Sequence, residues 1–299
     1  MNGFLNLLKP PGMTSSDAVV RIRHTLRGEK VGHAGTLDPE AAGVLPIMIG
    51  KAARLFDALV DKDKEYIAEI AFGAATDTQD AQGKPIATSG KLPAMEELRA
   101  CLPEFIGEIM QTPPDFSALK VEGRPAYAIA RKGERARLDA RLVRVDSIDV
   151  MERTGVNTAL LRVRCGKGVY IRTLCHDLGT RLGCLAHMRF LLRTQSGPFR
   201  LYDSVTLEEW NQCADRAKFL VPMDAPLSGL PAVRVDASNR AVVLNGHPLP
   251  WTDDSTPPGG LVRVYCGNQF AGLARYQDGM LRFQAMLMEK TDDTKPGDP

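Results

Sequence analysis

The chain has 299 residues, with 38 Lys and Arg against 36 Asp and Glu for a formal net charge of +2, and it is 44% apolar and 25% charged. These are ordinary globular values at a length that favours two domains of about 150 residues each, and they exclude a disordered, collagenous or coiled-coil chain. Mean hydropathy is −0.17, no apolar run approaches the roughly 20 residues of a spanning helix, and the first twelve residues lack the basic flank and long apolar stretch of a secretory signal, so a cytoplasmic protein without a membrane partner is expected.

Residues 3–8 read as a short apolar strand, stopped by Lys9-Pro10-Pro11-Gly12. Thr14-Ser15-Ser16 offers N-caps to a helix with Ala18, Val19, Ile22 and Leu26 on one face, ended by Gly28. A glycine-rich loop over 32–38 leads to a buried strand at 44–49, a helix at about 51–59 and a strand at 64–73. Residues 76–83 (TDTQDAQG) form a polar loop, since their Asp, Thr and Gly favour side-chain-to-backbone turns. A helix near 94–101 and a strand near 105–111 precede an insertion-like stretch at about 112–141, which carries a hairpin signal at Glu122-Gly123 and a short helix at 127–133. Strands fit 142–152 and 158–165, and Ile171, Leu174, Cys175, Leu178 and Leu182 recur at the spacing of an amphipathic helix over 170–182. Beyond Leu230-Pro231 short apolar runs at 233–235, 261–266 and 270–276 alternate with turn residues, the pattern of a small β-rich second domain. The polar residues 291–299 read as a disordered tail.

The six cysteines include no C-x-x-C pair and no histidine at zinc spacing, so reduced thiols are expected; Cys175-His176 reads as a core thiol beside a surface imidazole. The charge is unevenly distributed. Segment 117–144 holds eight Lys and Arg against three acids, and segment 161–200 holds eight against Asp177 alone, which leaves the remainder net acidic. Two long arginine-rich stretches, with Tyr127, Tyr170, Phe190 and Phe199 among them, point to a polyanion and specifically to nucleic acid, because guanidinium forks bind phosphate bidentately and aromatic rings stack on bases.

The densest local signal is Gly32-His33-Ala34-Gly35-Thr36-Leu37-Asp38-Pro39-Glu40-Ala41-Ala42-Gly43, a carboxylate in a loop whose glycines permit close approach of a ligand. Taken alone, Asp38-Pro39-Glu40 is a helix start, with Asp at the N-cap, Pro at N1 and Glu in the first turn. Further carboxylates at Asp77 and Asp80 leave a general base, a nucleophile or half of a glycosidase pair all open, while their spacing fits no metal loop.

The run from Gly32 to Leu45, of the form G-H-x-G-x-L-D-P-x-A-x-G-x-L, resembles the signature of TruB-type tRNA pseudouridine synthases. The resemblance continues in order through Lys9-Pro10-Pro11-Gly12 with Thr14-Ser15, Lys64-Glu65-Tyr66, Thr76-Asp77-Thr78-x-Asp80-x-x-Gly83, Gln111-x-Pro113-Pro114-x-x-Ser117-Ala118-x-Lys120 and Gly168 to Leu174, and so covers about residues 3–200. Gly166 departs from it where serine is expected, and the C-terminal part matches loosely through Leu230-Pro231 and Leu244-Asn245-Gly246.

The resemblance implies an α+β fold: a pseudouridine-synthase domain over 1–229 with a mixed, mostly antiparallel sheet and flanking helices, an RNA-gripping insertion over about 112–141, and a small PUA-like β-barrel over 230–290. It implies isomerisation of the T-loop uridine of tRNA after base flipping, with no cofactor, no metal and no obligatory protein partner, by a monomer. Asp38 is implied as the catalytic aspartate, with attack on the base and assistance of ribose proton loss both open. Arg172 is implied as the ion partner that orients it, Tyr66 as the ring stacked on the flipped base, Tyr170 and Leu191 as pocket lining, and His33 as the wedge that fills the vacated stack. Lys9 and Lys120 would contact phosphate or brace the site, and Arg124, Arg131 and Lys132 would grip RNA. The rival readings are a non-catalytic RNA-binding or tRNA-folding chaperone on the same fold and a carboxylate-pair glycosidase.

Overall fold

A computed structural model describes residues 1–60, 62–117, 119–121, 123–130, 133–134, 138–252 and 259–288, with the backbone alone at 60, 120 and 125. The expected tail at 291–299, the hairpin residue Glu122, and Arg131 and Lys132 lie outside the described residues. No helix among the described residues is long and apolar enough to cross a membrane.

Strand β1 (Gly3–Lys9) is buried along nearly its whole length and ends where Pro10 and Pro11 remove donors. Helix α1 (Ser15–His24) starts at a capping box in which the Thr14 hydroxyl accepts from the Asp17 N–H while the Asp17 carboxylate accepts from the Thr14 N–H. It buries Ala18 and Ile22. Strand β2 (Val31–His33) then pairs antiparallel with β3 (Ala42–Ile49), so residues 34–41 are the loop of a hairpin. The expected helix over 51–59 divides into a 3-10 turn at Gly50–Leu55 and the α-turn α2 (Phe56–Val60). The three-residue period of the first part puts Ala52 and Leu55 on one buried face.

Strand β4 (Lys64–Phe72) alternates in burial as its sequence does. Beyond it lie the small hairpin β5 (Ala74–Thr76) and β6 (Pro85–Thr88), then α3 (Met95–Cys101). Phe105, expected in the next strand, closes a 3-10 turn at Leu102–Phe105 that Pro103 opens, so β7 runs only over Gly107–Gln111. The stretch 112–141 carries the two-residue strands β8 (Lys120–Val121) and β9 (Arg124–Pro125), paired antiparallel with Val121 opposite Arg124, and then α4 (Ala126–Ala130). Strands β10 (Arg141–Arg153) and β11 (Thr158–Cys165), helix α5 (Ile171–Arg181) and strand β12 (Ala186–Ser196) complete the main layer. The segment beyond supplies β13 (Phe199–Arg200), α6 (Leu207–Gln212) and β14 (Leu220–Val221).

These strands make a ten-stranded sheet in the order β14-β1-β3-β12-β4-β11-β10-β7, with β13 added to β12 and β2 to β3. Its ladders are antiparallel except where β12 runs parallel to β3, at Leu192 opposite Ala42 and Arg193 opposite Gly43. Inward-facing Tyr66, Ala68 and Ile70 of β4 meet α5 residues Ile171, Leu174 and Leu178, along with Leu5, Ile22, Val163 and Trp210, in one large core. The Trp210 ring is fully buried, and its indole N–H donates to the Thr25 hydroxyl at 2.8 Å.

The C-terminal sheet comprises β15 (Ala232–Val235), β16 (Leu249–Pro250), β17 (Leu261–Cys266), β18 (Gln269–Gln277) and β19 (Met280–Met286), in the order β15-β17-β18-β19-β16. Among the described residues its end strands do not pair, and the sheet is a curled half-barrel, in keeping with the small PUA-like β-barrel expected. A second core joins it to the main sheet: Phe4, Val44, Met48, Leu55 and Phe199 pack with Leu273, Ala285 and Leu287. Lys51 caps the contact by donating to the Met288 carbonyl at 2.6 Å.

The parallel crossing of β3 and β12 requires a glycine. Gly43 has φ +116°, and a Cβ there would lie 2.2 Å from the Arg193 carbonyl oxygen and 2.7 Å from its nitrogen, both backbone atoms that cannot swing aside. Gly43→Ala is expected to lower stability by about 1–3 kcal/mol, the range for overpacking a rigid site, read as a lower urea midpoint with unchanged m. A midpoint equal to wild type would show that the crossing can open to admit a methyl group.

Candidate active site

The loop between β2 and β3 is held in place by three side chains from distant segments. Ser15, at the start of α1, binds Leu37 twice, donating to its carbonyl at 3.1 Å and accepting from its N–H at 2.9 Å. Lys9, at the end of β1, is fully buried, and its ammonium donates to the carbonyls of Pro10, Met13 and Pro39 at 2.8, 2.7 and 3.0 Å. Burial pushes the Lys9 pKa down to about 8, against the opposing pull of Glu40 and Asp38. Of the two uses expected for Lys9, the structure supports the brace, since a group with no exposed surface and three carbonyl partners offers nothing to a phosphate. Arg193 of β12, 1% exposed, donates from Nε to the Val44 carbonyl at 2.7 Å and from its Nη atoms to Thr36 and Gly35 at 3.3 and 3.1 Å.

Held at these points, the loop carries Asp38 through a turn rather than into a helix. The Ala41 N–H donates to the Asp38 carbonyl at 3.1 Å, with Pro39 as the first central residue, and the chain passes directly into β3. The helix-start reading of Asp38-Pro39-Glu40 is therefore corrected: Pro39 pre-sets a β-turn that a strand follows. The Asp38 side chain remains 36% exposed.

Arg172 meets this carboxylate from the first turn of α5, at 5% side-chain exposure. Its Nε lies 2.9 Å from Asp38 Oδ2, and an Nη donates to Oδ1 at 3.1 Å. The same guanidinium donates to the carbonyls of Thr78 at 3.2 Å and Phe116 at 3.0 Å, and lies 3.6 Å from Asp80 Oδ2. Asp80 is fixed in turn, its Oδ1 accepting from the Thr78 hydroxyl at 2.6 Å and the Gln82 N–H at 3.0 Å. Asp38 and Asp80 thus share one cation standing between them, an arrangement unlike a glycosidase pair, in which both carboxyl groups face the scissile bond.

Tyr66 projects inward from β4, directly across from Arg193 in the register of β12, and is 8% exposed. Burial raises its pKa. Leu191 lies two residues before Arg193 on the same face of β12, within the main core. Tyr170 is the residue immediately before α5 and is half-buried. His33 ends β2, half-buried, with its Nδ1 unpartnered among the described residues, and its pKa is lowered by burial first and the Arg193 charge second. Arg124 is exposed on β9, Lys120 is described only as backbone in β8, and Arg131 and Lys132 fall outside the described residues. No group of three or more His, Cys, Asp or Glu among the described residues is placed to hold a metal. All six thiols are free; burial pushes those of Cys165 and Cys175 up to about 12.

The basic segment 161–200 is not the open cationic surface its composition suggests. Arg172 and Arg193 are buried in the site. Arg164 pairs with Glu65 at 2.7 Å, Arg181 with Glu104 at 2.6 Å and Arg189 with Glu69 at 3.6 Å. The acids that neutralise these arginines come from other segments, which a count along the chain cannot register. Sequence reasoning also passed over the positioning role of Arg193 and of Ser15, which had been read as one of several caps. Strand parity points to Arg193, two residues from the core Leu191, but points equally to Arg189, which a register shift between Met188 and Phe190 turns outward.

Matches to known families span nearly the whole chain: the N-terminal domain of the TruB family of pseudouridylate synthases over residues 23–171, the C-terminal domain of tRNA pseudouridylate synthase B over 172–228, and the C-terminal region of the TruB pseudouridine synthase II family over 231–286. The chain is 42% identical over 269 residues to tRNA pseudouridine synthase B of Heliobacterium modesticaldum, covering 89% of this chain and 87% of that protein. It is 41% identical over 296 residues to tRNA pseudouridine synthase B of Alkaliphilus oremlandii, covering 96% and 98%. Among solved structures, it resembles a chain of an H/ACA RNP bound to a substrate RNA containing 2'-deoxyuridine, with TM-score 0.73, 28% identity and coverage of 97% of this chain and 86% of that one. A Cbf5-Nop10-Gar1 complex supplies another neighbour, at TM-score 0.69, 30% identity and coverage of 96% and 84%. The fold is that of a pseudouridine synthase with a PUA-like C-terminal sheet, and the chain belongs to the TruB family of pseudouridylate synthases.

Proposed function

We propose that this protein converts the T-loop uridine of tRNA to pseudouridine, with Asp38 as the catalytic carboxylate. One observation carries the reading: Asp38 is a partly exposed carboxylate ion-paired with a buried arginine that donates to its Oδ1, at the tip of a loop that Lys9, Ser15 and Arg193 immobilise. The reaction is an isomerisation. The bond from N1 to C1′ breaks, the base turns over, C5 bonds to C1′, the C5 hydrogen leaves as a proton and N1 takes up a proton. Nothing is oxidised or reduced, so the work for the protein is to extract the nucleoside, orient it and present a carboxylate.

Tyr66 and Tyr170 would bound the flipped base, with Leu191 at the pocket wall. His33, kept neutral at pH 7 by its lowered pKa, would enter the vacated stack without bringing a buried charge. Arg124, Arg131, Lys132 and Lys120 would hold RNA from the insertion, which spans about 112–141 within a catalytic unit at 1–229, while 230–290 would form an RNA-binding unit. The protein would work as a cytoplasmic monomer with no obligatory protein partner.

Asp38→Asn keeps the shape and removes the charge. It is expected to bind tRNA with wild-type affinity and form no pseudouridine, followed as tritium release from C5-labelled uridine. Turnover by this variant at an appreciable fraction of the wild-type rate overturns the catalytic assignment, whereas an unaltered cellular phenotype would favour the chaperone reading. Mapping pseudouridine in tRNA from cells that lack and then regain the protein identifies the target position.

Replacing Arg131 and Lys132 by glutamine is expected to weaken tRNA binding and flatten its log–log salt dependence by up to about one unit per lost phosphate contact. A slope equal to wild type would remove these residues from the RNA-facing surface.

A further inference from the structure

The insertion and the pocket meet at two residues to which the proposed reaction assigns nothing. Gln111 ends β7 and Arg141 begins β10, and they are partners in the antiparallel register. They therefore form the stem from which the insertion departs and to which it returns. Gln111 is buried, and its side-chain amide pairs with Tyr170 as a neighbouring strand would: Oε1 accepts from the Tyr170 N–H at 2.7 Å while Nε2 donates to the Tyr170 carbonyl at 3.1 Å. Arg141 donates to the Gly168 carbonyl at 3.0 Å, and its guanidinium carbon lies 5.3 Å from the centre of the Tyr170 ring. The insertion makes one more contact on the same helix end, where the Phe116 carbonyl accepts from Arg172.

Helix α5 has no side-chain cap at Tyr170. The approach of the chain to that helix, and with it the direction of the Tyr170 ring, is set by Gln111 and Arg141. We propose that these two are positioning residues that tie the pocket tyrosine to the stem of the insertion, so that an insertion seated on RNA fixes the direction of the Tyr170 ring. The proposal rests on the reading of Tyr170 as a pocket residue. A purely structural role would cost stability and leave the effect on rate independent of Tyr170. A positioning role makes that effect vanish once the ring is gone.

The experiment measures single-turnover pseudouridine formation, with the full-length protein in excess over tRNA, together with the Kd for tRNA. The variants are Gln111→Met, Arg141→Lys, Tyr170→Ala and each of the first two combined with Tyr170→Ala. Arg141→Lys keeps the charge but loses the planar fork and the stack, so it separates positioning from phosphate contact; as a change outside the core, it also keeps the test open if Gln111→Met folds poorly. Each single variant is expected to slow the chemical step about tenfold or more, since small misplacements near reacting atoms have such effects, with Kd unchanged. In the Tyr170→Ala background neither should slow it further by more than about twofold, the mark of residues acting through one partner. Equal slowing in both backgrounds, no slowing at all, or weaker binding at an unchanged rate would overturn the proposal. A wild-type chain that forms no pseudouridine would instead refute the proposed function, and a fully active Tyr170→Ala would refute the pocket reading and this proposal with it.

Discussion

Arg172 carries a full charge at 5% side-chain exposure, and a charge taken out of water must be met by partners in good geometry or the fold loses several kcal/mol. A guanidinium has five N–H donors; those of Arg172 make hydrogen bonds to Asp38 Oδ1 and to the carbonyls of Thr78 and Phe116, while Nε lies 2.9 Å from Asp38 Oδ2 and an Nη 3.6 Å from Asp80 Oδ2 as ion pairs. These partners come from the hairpin loop, the polar loop after β5 and the base of the insertion, which are far apart in sequence. None of them alone satisfies the cation. The network closes only when all three segments have arrived around α5, so assembly of the site and completion of the fold are one event.

Two further buried cations hold the same loop, and both do so through main-chain oxygen. Lys9 is bonded to three carbonyls and Arg193 to three. Because Arg193 pairs with dipoles instead of a carboxylate, its charge is left to act on its surroundings. It helps lower the pKa of His33 and opposes the rise that burial causes at Tyr66. Asp38 thus lies among buried cations as well as the acids Asp80 and Glu40, and because Lys9, Arg172 and Arg193 lie inside the protein, salt screens them far less than surface charges.

Most strands and helices were legible because their apolar residues recur with the right period: Tyr66, Ala68 and Ile70 at every second place in β4, and Ile171, Leu174 and Leu178 on one side of α5. The turn at Asp38 is ambiguous in sequence for a local reason, since Asp-Pro-Glu suits a helix start and a β-turn equally and only the pairing of the following strand with β1 and β12 decides between them. The site arginines were visible as residues and misplaced as a class. Strand parity does not separate Arg193 from Arg189, both of which lie two residues from Leu191; the register shift between Met188 and Phe190 turns Arg189 outward, and Arg164 and Arg189 end up paired with Glu65 and Glu69 on a strand about a hundred residues earlier. Spacing could not bring Asp80 to Arg172 or Gln111 to Tyr170 either; those contacts exist only once the sheet order is known.

Redistribution of charge on folding separates two tasks that composition had merged. Within 161–200, two arginines are buried in the site and three are matched by carboxylates, so the run of positive charge along the chain overstates the unpaired charge this segment presents. In 117–144, Arg141 and Arg144 are also engaged, the latter with Asp63 and Asp146, while Arg124 is exposed and the cations from Arg131 to Arg137 follow it in sequence. Affinity for a polyanion depends on exposed charge and on the release of counterions. Orientation of the Asp38 carboxylate depends instead on buried charge, from Arg172 on α5 and from the loop contacts of Arg193 on β12. A balanced net charge conceals this division, because buried and exposed arginines count alike in a sum and differ completely in what they can touch.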